Sequence, residues 1–167
     1  MPTAAQIAER AGYSVRSIFE RFPDLGKLRV AAADYSLAQA AALAPPRQVD
    51  GDRQARIRSQ VETRAGTCER GVALWRVLLA TAEEEEELRP RIRIARERTV
   101  ERLEVMYRPE LSTLPERDRK HMLIALEAIL DHESWAPMRE IHGLSFEEGC
   151  AVWIHAIDRM LPPTPAA

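Results

Sequence analysis

The sequence predicts an all-α fold in which an N-terminal helix-turn-helix is followed by a C-terminal helical bundle. Three observations lead to this prediction. Residues 3–28 have the spacing of two short helices joined by a tight turn. Residues 88–107 place apolar side chains along one helical stripe. The composition of the 167 residues, 46% apolar and 30% charged, is ordinary for a helical domain and too charged for a membrane protein.

The first two helices are predicted from residue types at fixed intervals. Ala8 is small enough for two helices to cross in contact. Gly12 ends the first helix, because the position after a helix commonly requires a positive φ. Ser14 caps the second helix by accepting a hydrogen bond from a backbone N–H of its first turn. Ile18 and Phe22, four residues apart, turn one apolar face inward.

A third helix, from Leu25 to Leu43, is rich in alanine and is expected to connect the first two helices to the body. Ala44-Pro45-Pro46 should end it, because proline lacks an N–H and disfavours a helical residue before it. The stretch PPRQVDGD at 45–52 is the clearest linker. The predicted units are therefore residues 1–44, the helix-turn-helix with its connecting helix, and residues 45–167, a ligand-binding and dimerisation domain.

Apolar periodicity predicts five helices in the body, at about 53–64, 69–82, 88–107, 116–134 and 145–161. Gly66 is expected to separate the first two, and Pro109 to stop the third. Ser145 and Glu148 should form a capping box at the start of the last. The final residues, PPTPAA, are expected to be a loose tail.

No catalytic or metal-binding pattern is found. Five successive carboxylates, Glu83 to Glu87, point in all directions on a helix, so a solvated helix boundary is the expectation. Cys68 and Cys150 have no metal or redox spacing and are expected to be buried thiols. The four histidines lack ligand spacing, and no nucleophile elbow, phosphate loop or dinucleotide fingerprint occurs. An enzyme is the weaker alternative, and no metal or cofactor is expected.

Residues 3–44 resemble the second to fourth helices of TetR-family transcriptional repressors. The similarity lies in the Thr-started helix, the Ala-Gly-x-Ser turn, and the Phe-Pro step before a long connecting helix. SWAPMREIHGLSFEEGCAVWIHAIDRML, at 134–161, is similar to the end of many such regulators. The resemblance implies a homodimeric repressor that binds a palindromic operator and responds to a small apolar effector.

The resemblance also implies which side chains approach DNA. Val15, Arg16 and Ser17 would face base edges, and Thr3, Phe19, Arg21 and Lys27 would lie toward the phosphate backbone. The first 30 residues have five basic groups against three acidic ones, which suits attraction to phosphate. The family's first helix precedes the Thr-started one, and here the chain opens at Met1. The alternative is therefore a truncated TetR-like dimeric module that binds a ligand or partner without binding DNA.

Two further sites are expected in the body. The aromatic and flexible apolar residues that could line an effector pocket are Trp75, Met106, Tyr107, Leu126 and Trp135, with plain core as the competing interpretation. The last helix has two apolar faces, so one is expected to pack on a second copy of the chain. The interface residues expected are Leu126, Ile129, Phe146, Trp153 and Ile157, and the alternative is that both faces are buried within one chain.

Neither a signal peptide nor a membrane span is recognised. The N-terminus lacks a basic-then-apolar pattern. The longest uncharged runs are well below the roughly 20 residues that a bilayer span requires. The expected location is the cytoplasm, with no membrane partner.

Overall fold

Every regular element in the described part of the chain is an α-helix. The computed structural model describes residues 2–43 and 49–166. The helices within them are α1 (Ala4–Ala11), α2 (Val15–Arg21), α3 (Leu25–Ala42), α4 (Arg53–Thr81), α5 (Leu88–Met106), α6 (Arg108–Leu111), α7 (Glu116–Ile129), α8 (His132–Glu140) and α9 (Phe146–Met160). The all-α prediction is confirmed. None of the described helices is both long and apolar enough to cross a membrane.

The caps of α1 and α2 are those that the sequence predicts. Gly12 follows α1 with φ 72°, a left-handed conformation that glycine adopts without a Cβ penalty. Ser14 Oγ accepts a hydrogen bond from the Ser17 N–H at 3.0 Å. Ala8 and Ile18 are the buried residues of this helix pair. The two helices pack mainly on each other.

Helix α3 joins this pair to the body. Asp24 caps it by accepting from the Lys27 N–H at 2.7 Å. It then packs against α4 and α5. The predicted stop at Ala44-Pro45-Pro46 and the first part of the predicted linker fall at 44–48, outside the described residues. Residues 49–52 form a turn, and Asp52 caps α4 by accepting from the Ala55 N–H at 2.8 Å.

The body begins with one helix where the sequence predicted two. Helix α4 runs unbroken for 29 residues, and Gly66 lies inside it. A glycine within a helix costs only about 1 kcal/mol relative to alanine. Burial of apolar side chains on both sides of Gly66 outweighs that cost; they include Ile57, Val61, Ala65, Cys68 and Trp75. Helix α4 is accordingly the central element, in contact with α3, α5, α8 and α9.

The helix predicted at 116–134 is instead two helices. Helix α7 ends at Ile129, and α8 starts after Asp131, whose carboxylate accepts from the Glu133 N–H at 3.1 Å. An aspartate at this position satisfies an N–H that no helical carbonyl can reach. Pro109 also acts differently from the prediction. It occupies the second position of the short helix α6, where the N–H it lacks would have no helical partner.

The core of the body is centred on Trp135, which is fully buried. Its ring lies 4.8 Å from the ring of Trp153 and 5.6 Å from that of Phe146, measured between centroids. Its indole N–H donates to Glu69 Oε2 at 2.6 Å. Gly149 on α9 makes room for the ring, because a Cβ there would lie 2.9 Å from it. Helices α8 and α9 therefore approach each other closely at Gly149.

The C-terminal residues are anchored rather than loose. Glu110 is fully buried and accepts hydrogen bonds from Arg56 and from the hydroxyl of Thr164. Arg53 donates to the carbonyl of Pro162 at 2.6 Å and to the Asp158 carboxylate at 2.9 Å. The prediction of a loose tail was wrong for residues up to Thr164. Arg53 of α4 and Glu110 of α6 bind this segment, although they are remote from it in sequence.

Candidate functional site

A cavity of about 650 Å³ lies between α3, α4 and α5, with His132 of α8 in its wall. This volume falls in the range of pockets that hold small organic molecules. Helix α3 contributes residues from Ala33 to Ala41, α4 from Gln60 to Leu78, and α5 from Arg91 to Arg102. The cavity therefore extends along several turns of all three helices.

One end of the cavity is apolar. Ala33 and Leu78 form a small buried cluster with Leu88, separate from the main core of the body. Leu74 and Ile92 pack on this cluster and also line the cavity. An apolar part of a ligand would be removed from water here.

The other end is polar and carries arginines. Arg102 Nε donates to Gln60 Oε1 at 2.7 Å, which joins α5 to α4. Arg64 Nε donates to the Leu130 carbonyl at 2.6 Å. Arg98 Nη1 lies 3.5 Å from the Leu37 carbonyl, so α3 reaches the same end. Among the described residues, the cavity lining contains four arginines and one glutamate, Glu101.

The arginines differ in their ionic partners. Arg91 is bound to both carboxylate oxygens of Asp34, at 2.7 and 2.8 Å, so its charge is compensated. Arg64 and Arg98 make no ion pair with any carboxylate in the described ranges. Both bond to backbone carbonyls, and Arg64 Nη2 also lies 3.5 Å from the neutral His132 Nδ1, so neither contacts a full negative charge.

His132 is neutral at pH 7. Burial, and then the nearby Arg64 guanidinium, lower the pKa of its imidazole to about 4. Its ring stacks on Trp75 with 4.8 Å between centroids. Gly71 makes room for the imidazole, because a Cβ there would lie 2.9 Å from His132 Nε2. Within the described residues the buried Trp75 N–H has no hydrogen-bond partner.

The predicted pocket residues are divided between the cavity and the core. Trp75 lines the cavity. The other four residues are fully buried in the main core, which is the competing interpretation given above for them: Met106, Tyr107, Leu126 and Trp135. The cavity lies against α3, and no residue of α7, the helix that carries the expected lining residue Leu126, is among its described lining residues. The arginines of the cavity were missed because a polar residue on an amphipathic helix normally indicates the solvent face.

The side chains expected to read DNA bases form an exposed surface on α2. Val15, Arg16 and Ser17 are exposed at its first turn. Arg16 Nε is 2.8 Å from Glu20 Oε1, with both side chains largely in solvent. Such an exposed pair contributes little to stability, so the guanidinium is easily redirected.

The residues expected near phosphate are less uniform. Phe19 and Arg21 are exposed on α2. The Thr3 hydroxyl is at the start of α1 and caps it by accepting from the Gln6 N–H at 3.3 Å. Lys27 Nζ lies 2.6 Å from Glu87 Oε1, so a phosphate would compete with a carboxylate for this ammonium.

The acidic run at 83–87 was expected to be a solvated helix boundary, but part of it contacts α3. Glu85 is largely buried and forms an ion pair with Arg29 of α3, beside the pair of Lys27 with Glu87. The start of α3 packs next to the turn between α4 and α5, which brings these groups together. The acidic run is therefore a contact between α3 and the body.

The residues expected at a dimer interface mostly face inward. Leu126, Trp153 and Ile157 are buried within the chain, and Ile129 and Phe146 are half-buried against the same core. The outer faces of α7 and α9 instead expose other apolar side chains. Ile124 is 55% exposed and Val152 is 47% exposed. The amphipathic period places the first set on the core side of each helix.

The remaining reactive groups do not form a site. Burial raises the pKa of the Cys68 thiol to about 12 and that of Cys150 to about 11, so both are protonated at pH 7. No three potential metal ligands come together within residues 2–43 and 49–166.

Neither a protein-family model, nor a curated protein, nor a solved structure matches this chain. Its function has to be inferred from the cavity and the exposed surface of α2.

Proposed function

We propose that this chain is a ligand-responsive, DNA-binding transcriptional regulator of the TetR type, acting as a homodimer. In this proposal α1 and α2 bind operator DNA, the cavity between α3, α4 and α5 holds a small effector, and the outer faces of α7 and α9 pair two chains. The proposal rests on the order in which these parts are connected.

The observation that carries the proposal is that α3 belongs to both sites. Its first residue, Leu25, follows the proposed recognition helix α2 after three residues, and its later turns line the cavity from Ala33 to Ala41. A ligand that fits better with α3 in one position than another shifts the population between the two positions. Because α2 is attached to the start of α3, that shift changes where the DNA-binding surface stands.

Three ion pairs connect α3 to the body and would transmit such a shift. Lys27 binds Glu87, Arg29 binds Glu85, and Asp34 binds Arg91, which also lines the cavity. All three partners lie at the turn between α4 and α5 or in the first turns of α5. Movement of α3 and of the cavity wall is thereby coupled through charged contacts that have definite geometry.

Two chains are required because one helix pair contacts too few base pairs for specific binding. A symmetric dimer presents two copies of α2 to one face of DNA, with half-sites one helical turn, or a multiple of it, apart. In this proposal the exposed apolar residues Ile124 of α7 and Val152 of α9 pack against the same helices of the second chain.

The decisive experiment is selection of binding sites from random DNA at low salt, using the whole chain. The regulator proposal expects a pseudo-palindromic sequence. A chain carrying Arg16→Ala, in which the exposed pair with Glu20 is lost at little cost to folding, serves as the control and should lose preference at one position of each half-site. If the unaltered chain selects no palindrome, the DNA-binding proposal fails and a dimeric ligand-binding module replaces it.

A further inference from the structure

We propose that the ligand of the cavity is an amphipathic anion, namely a molecule with one carboxylate and an extended apolar portion. Its carboxylate would lie at the end lined by Arg64, Arg98 and Arg102, and its apolar portion would extend toward Leu74 and Leu78. The inference rests on the proposed function for the biological role of the cavity, and it adds the chemical class of the effector.

Arg64, Arg98 and Arg102 line the cavity toward the end where α5 meets Gln60 of α4. Arg98 and Arg102 are four residues apart on α5, so they lie on the same helix face. Arg102 contacts Gln60, one turn of α4 before Arg64. Arg64 follows on the next turn of α4, with its guanidinium 3.5 Å from His132 Nδ1, and all three arginines line the cavity.

The charges of Arg64 and Arg98 are not neutralised by any carboxylate in the described part of the chain, so an anionic ligand could neutralise them. Arg64 and Arg98 bond to the carbonyls of Leu130 and Leu37, at 2.6 and 3.5 Å, and neither is paired with a carboxylate among the residues described. Glu101 is the one acidic residue in the lining within 2–43 and 49–166, and it is exposed. A guanidinium matches a carboxylate with two parallel hydrogen bonds, and such charge-assisted bonds are strong where water is partly excluded.

The distance between the charged and apolar parts of the cavity sets the length of the ligand. Leu78 lies 14 residues after Arg64 on the same helix. At the helical rise of about 1.5 Å per residue, their Cα atoms are about 21 Å apart along the helix axis. The wall near Leu78 is apolar, with Ala33, Leu74 and Ile92 around it. A ligand that reaches both ends is therefore long, charged at one end and apolar at the other.

The experiment measures binding of three matched compounds to the whole chain by isothermal titration calorimetry, below their micelle concentrations. The probes are decanoate, 1-decanol and decyltrimethylammonium, which share an apolar chain and differ in charge. We expect decanoate to bind with one molecule per chain and about tenfold or more tighter than the alcohol, because charged hydrogen bonds replace neutral ones. The cation should bind most weakly.

Two variants and a control locate the charge and the chain of the ligand. Arg98→Met removes an exposed guanidinium whose protein contact is long, so folding should be preserved, and decanoate affinity should fall about tenfold while alcohol affinity stays the same. Arg58→Met is the control, since Arg58 is an exposed arginine of α4 outside the cavity lining, and it should change neither affinity. Ala95→Phe fills the middle of the cavity and should weaken both compounds; its melting temperature reports whether it folds.

Several outcomes would overturn the inference. These are no binding of decanoate, equal binding of decanoate and decanol, or equal effects of Arg98→Met and Arg58→Met. Adding the compounds to a complex of the chain with its selected DNA separates this inference from the proposed function. If decanol releases DNA as well as decanoate does, the proposed function as a regulator is supported and the proposed anionic ligand is contradicted. If decanoate binds through Arg98 and the chain selects no DNA, the ligand class stands and the regulator does not.

Discussion

At the scale of single residues, Arg16 and Lys27 differ in what surrounds their charges. The Arg16 guanidinium is exposed on α2 and paired with Glu20 of the same helix. The Lys27 ammonium is paired with Glu87, which is 60 residues away in sequence. The carboxylate also raises the pKa of Lys27, first through this hydrogen bond and then through its charge, so the lysine remains cationic. The two residues are therefore expected to contribute to DNA binding in different ways.

Arg16→Ala should cost about 1–3 kcal/mol of binding free energy at one base position and relax the preference there, because bidentate pairing with guanine would be lost.

Lys27→Ala should weaken binding to all sequences alike and lower the salt dependence of log K by about one unit, because a phosphate contact carries no sequence information. Gel-shift titrations on a selected site and on its single-base variants measure both effects. Loss of sequence preference in Lys27→Ala would contradict this assignment.

His132 should make stability depend on pH in a definite window. Its pKa is about 4 in the folded chain, because of burial and Arg64, against about 6.5 when unfolded. Between these values the unfolded chain binds more protons, so the free energy of unfolding falls as the pH drops from about 6.5 toward 4, by at most about 1.4 kcal/mol per pH unit.

Urea denaturation of the unaltered chain and of His132→Gln at several pH values between 7.5 and 4.5 tests this expectation. The variant should have a flatter profile across the window. Glu127 has an opposite effect, since burial raises the pKa of its carboxyl, but it is present in both chains and cancels in the comparison. Two parallel profiles would show that His132 is not the titrating group.

Two glycines inside helices should respond to alanine with opposite signs. Gly149→Ala should lower the free energy of unfolding by about 1–3 kcal/mol, because the added Cβ would lie 2.9 Å from the Trp135 ring. Gly66→Ala should raise it by as much as about 1 kcal/mol, because the nearest group is the flexible end of Arg70, at 3.3 Å, and alanine favours the helix. Denaturant midpoints measured in parallel check both, and stabilisation by Gly149→Ala would contradict the packing described for α8 and α9.

At the scale of elements, α1 and α2 have little to hold them in place. Only Ala8 and Ile18 are buried there, whereas α4 buries side chains along its whole length. Local opening is therefore expected to cost less free energy in this helix pair than in α4.

Hydrogen exchange followed by mass spectrometry should accordingly show the amides at 4–21 exchanging faster than those of α4. Specific DNA should slow the exchange of α2, because bound segments open less often. The internal reference is α9, which is anchored in the core by Trp153 and Ile157 and should be unchanged by DNA. Protection of α1 and α2 equal to that of α4 in the free chain would contradict the expectation.

At the scale of the whole molecule, the structure changes which residue is the useful probe of dimerisation. Trp153 is 2% exposed, so Trp153→Asp would bury an unpaired carboxylate in the core and unfold the chain. Val152, its neighbour, is 47% exposed on the outer face of α9. Ile124 is 55% exposed on α7, which contacts α9.

Val152→Asp should therefore separate the proposed dimer while leaving each chain folded, because the carboxylate stays in solvent when the partner is absent. Sedimentation velocity at micromolar concentration measures the oligomeric state, and circular dichroism confirms folding. Ile141→Asp, at a more exposed apolar residue just after α8, is the control and should leave the oligomeric state unchanged. An unaltered chain that sediments as a monomer would remove the basis for pairing through α7 and α9.

The helical class and most helix ends could be predicted from the order of the residues alone. Gly12, Ser14 and Ser145 act on groups within a few residues, so their caps depend on local hydrogen bonds that a sequence pattern contains. The same locality explains the two wrong boundaries. Whether Gly66 interrupts a helix, and whether 116–134 is one helix or two, depends on burial against other elements as well as on residues nearby.

The position of the cavity and the charges that border it depend on how the helices pack in three dimensions. Arg102 and Gln60 are 42 residues apart, and Arg29 and Glu85 are 56 apart, so no local pattern indicates that they meet. The same holds for Leu126 and Trp153, whose apolar character fits a core or an interface equally well. A cavity is a space between three packed helices, and its position is set by how closely their side chains approach, which a periodic pattern along one helix does not contain.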